Sequence, residues 1–188
     1  MHGLYLPFAL ASRSQPINRS ALLPLIAYST WANLRLFAVA GRVDEALLHA
    51  DSPFFDHGTA FRTFVHIVDV EWSWYRCARG VDMRPHLADV EQVADLTALR
   101  AFAVRFGAEL AAYVRALSEE ELVEAVDIGT ATGKQPEFTQ RVNILVHLAN
   151  HGTQHRSELG HFLTSLGHSP GEIDYMDHVQ GIAPSLSD

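Results

Sequence analysis

Only one cysteine, Cys77, occurs in the 188 residues, so the chain has no internal disulfide available to it. A lone thiol fits a reducing compartment, and the cytoplasm is the expected location. Basic residues are scarce as well: fourteen Lys and Arg stand against twenty-two Asp and Glu, a formal net charge of −8 with neutral histidines, and they form no cluster. That argues against a phosphate-binding face, and nucleic acid is not an expected partner. No apolar run approaches the ~20 residues that span a bilayer, so no membrane association is expected either. The N-terminal MHGLYLPFALASRSQ has a short apolar centre and an Ala9-Leu10-Ala11 that imitates a cleavage site. It lacks the positive residues that precede such a centre in a secretory signal.

What the chain does have is a core. At 48% hydrophobic residues it can bury enough surface for one globular domain, expected over residues 21–177, with an N-terminal extension (1–20) and a flexible tail (178–188). Four segments have helical length and helical period. The first runs from about Ala21 to Ala40, with Ser20 as cap and Gly41 as stop; the second from about Gly58 to Arg79, stopping at Gly80. The third starts at the capping residue Asp95 and ends before Ser118, whose spacing to Glu121 is that of a capping box. The fourth spans about Thr139 to Leu166 and ends at Gly167. Between the third and fourth, alternating residues flank a Gly129-to-Gly133 turn, the pattern of a small hairpin or a long loop. Four long helices with little else make an all-α helical bundle, a fold that builds metal and cofactor sites in its core.

The fourth segment carries NILVHLANHGTQHRSEL, which puts His147, His151 and His155 four residues apart. Random placement of eleven histidines gives such a triplet only about 0.04 times per chain, so the column calls for an explanation. Each step of four rises about 6 Å and turns about 40°, so one ion reaches two neighbouring histidines but not three. On a helical wheel centred on Leu159 the apolar stripe holds Leu145, Leu148, Gly152, Leu163 and Leu166. His155, His151 and His147 lie at about −40°, −80° and −120°, spiralling outward from that stripe. His151 and His155 are therefore the inward pair, and His147 a rim group. Two neutral imidazoles facing one core need a common partner, and a divalent metal is the simplest.

A third ligand must come from another helix. In the second segment Thr59, Thr63, His66, Val70, Ser73 and Cys77 follow a 4-3-4-3-4 spacing that faces a partner helix, with His66 at its middle. Asp69 and Glu71 on that helix and Glu158 after His155 are rival carboxylate donors. Asp69 has a second role open to it, orienting His66 or a bound water. His49, His57, His86, His161, His168 and His178 read as solvated.

AYSTWANLRL in the first helix, HIVDVEWSWYR in the second and HLANHGTQHR in the fourth together resemble the DinB-like (DinB/YfiT) superfamily of metal-dependent four-helix proteins. The resemblance covers about Leu22 to Met176, and Asn-His-Gly-x-x-His-Arg is its most specific piece. It implies an up-down-down-up four-helix bundle, often a homodimer, with zinc or nickel on His66, His151 and His155. It also implies chemistry of the kind seen in thiol-dependent transferases and isomerases, which use low-molecular-weight thiols. Relatives commonly continue His-Arg-Gly-Gln where this chain has Arg156, Ser157 and Glu158.

The function expected is a metal-dependent transferase or hydrolase acting on a small molecule, thiol transfer first, with His147 or Asp69 moving protons or holding a ligating imidazole. Trp31, Trp72, Trp74 and Tyr28 are candidates for the pocket wall. The alternative is a non-catalytic bundle in which a structural metal ties the helices together.

Overall fold

A computed structural model of the chain describes residues 17–90 and 93–181. Most of the expected extension and residues 182–188 of the expected tail lie outside the described residues. The elements run α1 (Arg19–Ala40), α2 (Glu45–His49), α3 (Ala60–Ala78), α4 (Leu87–Val90), α5 (Leu96–Ala116), α6 (Glu119–Val123), β1 (Ala125–Asp127), α7 (Ile128–Ala131), β2 (Phe138–Gln140), α8 (Arg141–Ser165) and α9 (Tyr175–Val179). The protein is mainly helical, as its periodicity requires.

Local chemistry sets the ends of the long helices. Thr59 accepts from Arg62 N at 3.1 Å to start α3, and Asp95 accepts from Ala98 N at 2.7 Å to start α5. The capping box of Ser118 and Glu121 forms and opens α6. α1 begins two residues earlier than Ser20 as cap would set it: Asn18 is its cap, accepting from Ala21 N at 3.0 Å. Gly80 and Gly167, at φ 74° and 83°, take the left-handed turns that let the chain leave α3 and α8.

The four long helices pack in a closed ring, α1 on α5 and α8, and α3 on α8 and α5. Leu22, Ile26 and Leu36 from α1, Phe64 and Val68 from α3, Leu99 and Leu110 from α5, and Leu145, Leu148, Leu159 and Leu163 from α8 fill the centre. Burial of each such side chain contributes on the order of 1.5–3 kcal/mol. α1 does reach the length and apolarity of a membrane span, with a mean hydropathy of 1.3 over its best window, although polar residues interrupt its apolar run. Its inner face explains the composition: Leu22, Ile26, Ala32, Leu36 and Phe37 are buried against the other helices, and Ser29 and Asn33 among them carry polar bonds.

The segment between α6 and α8 is a hairpin. β1 pairs antiparallel with β2, Val126 opposite Thr139, and the short helix α7 lies inside the connection. Gly129 is required there because a Cβ would run into the carbonyl of Gln135 and the backbone of Glu137. α9 packs on α1, with the His178 ring 5.2 Å from Trp31 and 6.0 Å from Tyr28.

Candidate metal centre

α8 presents His147, His151 and His155 along one side, and α3, its closest neighbour, presents His66 opposite them. Ring centroids of His66 stand 5.2 Å from His151 and 4.8 Å from His155, and those of His151 and His155 are 5.0 Å apart. The expected cross-helix partner therefore meets the inward pair. His155 is the deepest, 6% exposed, as the wheel requires.

A fourth ring joins them that sequence reasoning left in solvent. His57, from the loop before α3, stacks on His66 with centroids 3.7 Å apart and meets His155 edge-on at 5.4 Å. One ring nitrogen from each of His57, His66 and His155 lies within 4.8 Å of the other two. Loop residues show no periodicity, so spacing held no signal for His57. The only hint was its place two residues before the Thr59 cap.

Electrostatics prepare these rings for a cation. His66 is pulled down to about 4 by burial first, then by the neighbouring His57, His155 and His151, with Asp69 opposing weakly. His151 falls to about 4 for the same reasons, burial leading and His155 and His147 following. Both are neutral at pH 7 and offer lone pairs. Nδ1 of His151 is buried without a hydrogen-bond partner among the described residues. Such an orphan nitrogen costs about 1–3 kcal/mol unless something binds it. Neutral, convergent imidazoles with an unsatisfied buried nitrogen fit a divalent transition metal.

The carboxylates arrange themselves around this cluster rather than within it. Glu158 Oε2 lies 3.0 Å from His155 Nδ1, a contact that holds the orientation of that ring. Asp69 accepts from Leu87 N at 2.6 Å and contacts Nδ1 of His86 at 3.1 Å, pinning the α3–α4 loop. His86, taken as solvated, is exposed but thus engaged. His147 is exposed, its ring edge-on to Trp74 at 4.9 Å and 5.7 Å from His151. Of the aromatics expected along the pocket, Trp74 is the one in contact with a histidine of the column. Trp72 packs on Phe102, and Tyr28 and Trp31 pack with α9. Cys77 is buried, and burial raises its thiol.

Glu71, weighed as a rival donor, belongs to a different buried cluster. Its carboxylate accepts from Ser29 Oγ at 2.9 Å and from Asn33 Nδ2 at 2.9 and 3.0 Å. Arg156, 1% exposed, donates through Nη1 to Ser29 Oγ at 3.0 Å and Asn33 Oδ1 at 3.2 Å, and through Nη2 to Ala149 O and Thr153 Oγ1. Ser29 and Asn33 thus relay between a buried cation and a buried anion. Burial pushes Glu71 up and Arg156 down, and each charge opposes the shift of the other. Gly152 makes the arrangement possible: a Cβ there would overlap Nη1 of Arg156 and sit 3.2 Å from its Cζ.

The model of the DinB family matches residues 18–183. The chain belongs to the DinB family. A comparison with curated proteins gave no match. In this DinB-family chain the three stretches that carry the resemblance meet physically: Ser29 and Asn33 come from the first, Glu71 from the second, Gly152 and Arg156 from the third. The second and third stretches carry the expected metal ligands, and all three also supply the polar relay that locks α1, α3 and α8 together. Its signal was present in a glycine placed i−4 to an arginine on an apolar helix face.

Proposed function

We propose that this DinB-family chain is a divalent-metal protein and an enzyme, a thiol S-transferase or hydrolase acting on a small molecule. Its four long helices form the up-down-down-up bundle of the family, and zinc or nickel is held by His66, His151 and His155. The single observation that carries the reading is the meeting of neutral, convergent imidazoles from α3 and α8, one with an orphaned buried nitrogen. His66 and His155 belong both to this trio and to the one that His57 completes. In this reading His151 completes the trio by virtue of its unsatisfied Nδ1, while His57 stacks on His66 with centroids 3.7 Å apart.

A bound ion in such a site supplies Lewis acidity toward water or a low-molecular-weight thiol. The protein's own groups do the rest. Glu158 holds the orientation of the His155 ring, and His66 and His151 stay unprotonated well below neutrality. His147, exposed beside His151, exchanges protons with solvent. Asp69 orders the loop that borders the next turn of α3. The buried free thiol of Cys77 suits a cytoplasmic protein, and a homodimer is the expected assembly.

The test is elemental analysis of protein purified without added metal, beside His66→Ala and His155→Ala. Wild type should retain close to one ion per chain and both variants should lose it. Thiol consumption across a panel of electrophiles, with and without chelator, then tests the activity; no turnover with any biological thiol removes the thiol version.

A second reading has one observation in its favour. With His57 stacked on His66 the cluster brings four imidazole rings together, and a closed four-coordinate site is the mark of a structural metal in a non-catalytic module. Chelation should then lower the melting temperature strongly, and the cobalt-substituted protein should show a tetrahedral spectrum that added thiol leaves unchanged.

A further inference from the structure

One turn beyond His66 on α3 a cavity of about 460 Å³ opens, lined by Asp69, Val70, Ser73, Trp74, Arg84 and His86 among others. Its volume is that of a small-molecule site. Ser73 is 5% exposed, and its Oγ is buried with no hydrogen-bond partner among the described residues. A hydroxyl in that state is costly, and a ligand that accepts its proton relieves the cost. Arg84 is the second feature. In a chain of net charge −8, its guanidinium has no hydrogen bond or ion pair with any described residue, although carboxylates outnumber cations. The Asp69 carboxylate facing the same space is already taken up by Leu87 N and His86. Val70, Trp74 and Met83 supply apolar wall.

We infer that this cavity binds an organic acid with an apolar body, its carboxylate held by Arg84 and Ser73 Oγ. Ser73 follows His66 by seven residues, so it stands about 10 Å further along α3 on nearly the same face. A molecule anchored there by its carboxylate extends an apolar body of three to five atoms back toward the histidine cluster. Guanidinium pairs with carboxylate through two parallel N–H donors, and hydrogen bonds to a charged group are the strong ones. The inference names the substrate class for the reaction proposed above and rests on that reading for the chemistry alone; the binding itself does not require a metal.

The test titrates 4-phenylbutyrate and its uncharged amide into metal-free and metal-loaded protein by calorimetry, with metal content measured separately. The carboxylate should bind at least about tenfold more tightly than the amide in both forms. Arg84→Met should abolish that preference and Ser73→Ala weaken it, with metal content unchanged. Equal binding of acid and amide to wild type, or no binding of either, overturns the inference without needing any variant to fold; so does a preference that survives Arg84→Met. N-acetylcysteine shows which reactant carries the group: competition with 4-phenylbutyrate assigns the carboxylate to the thiol, and simultaneous binding assigns it to the acceptor. Protein that binds the acid yet contains no metal when purified sinks the metalloenzyme reading and leaves this one standing.

Discussion

Replacing Gly152 by alanine tests the physical account of α8 most severely, because propensity and packing predict opposite signs. Alanine in a helix interior is favoured over glycine by about 1 kcal/mol. At Gly152, however, the new methyl would occupy the place of Arg156 Nη1. An arginine tip in water would simply swing aside. This one is 1% exposed and bonded to Ser29, Asn33, Ala149 and Thr153, so moving it breaks the relay to Glu71 and strands a buried carboxylate. Breaking a buried pair costs about 3–5 kcal/mol. The net expectation is destabilisation by roughly 2–4 kcal/mol, or about 10 °C in Tm for a domain of this size. Urea and thermal unfolding in the presence of chelator measure it free of metal linkage. Gly160→Ala on the same helix is the control, since a Cβ there meets only Pro170 at an ordinary 3.7 Å. It should stabilise by up to about 1 kcal/mol. In an Arg156→Leu background the cost of Gly152→Ala should largely vanish. If Gly152→Ala matches the Gly160→Ala control, the relay does not anchor the helix and the reasoning fails.

Glu158→Gln should keep the fold and weaken metal affinity about 10- to 100-fold, read by competition with a chromophoric chelator, because it replaces the carboxylate beside His155 Nδ1 with a neutral and weaker acceptor. His57→Ala and His151→Ala separate the two possible trios: metal retained by the first and lost by the second supports His66, His151 and His155, whereas the converse result assigns the ion to His57. Metal-free protein should lose stability as pH falls from 6.5 toward 4. His66 and His151 sit near 4 when folded and at 6.5 in the unfolded chain, so the unfolded state binds more protons throughout that window. Melting curves of His151→Ala should show a shallower decline, and an unchanged slope counts against the neutral-imidazole picture. Gly129→Ala should unpair β1 from β2, seen as loss of hydrogen-exchange protection at Val126 and Thr139.

The long helices were legible because their periodicity runs for many turns. Asp95 and the Ser118–Glu121 box mark starts that the chain uses, whereas the start of α1 is set by Asn18 in place of Ser20. α2, α4 and α9 were not legible. At four or five residues they carry too little period to stand above loop composition, and they form because long helices next to them offer apolar surface. At the site the same distinction holds. His66, His151 and His155 lie on helix faces that the wheel resolves, whereas His57 reaches the cluster through a loop whose path depends on tertiary contacts. Glu71 shows a different failure. Spacing placed it on the same helix as His66 but left open which face it presented, and the face toward α1 won because Ser29 and Asn33 wait there to receive a charge.

His155 and Arg156 are consecutive, so they diverge by about 100° around α8 and serve two clusters at once. His155 turns to His66, and Arg156 turns to α1 and Glu71. Because His66 and Glu71 also share one helix, α3, the polar relay fixes the rotation and height of α3 against α8. Those are the two degrees of freedom that set the spacing between His66 and the α8 histidines. A rigid-body shift of about 1 Å between the helices would separate ring nitrogens that must converge on one ion, while the apolar contacts alone would tolerate it by repacking. The directional bonds through Ser29 and Asn33 do not tolerate it. Placing the relay one residue away from the deepest histidine makes the fold itself the source of the histidine cluster's spacing, and it accounts for glycine, histidine and arginine occurring together in a single run of α8.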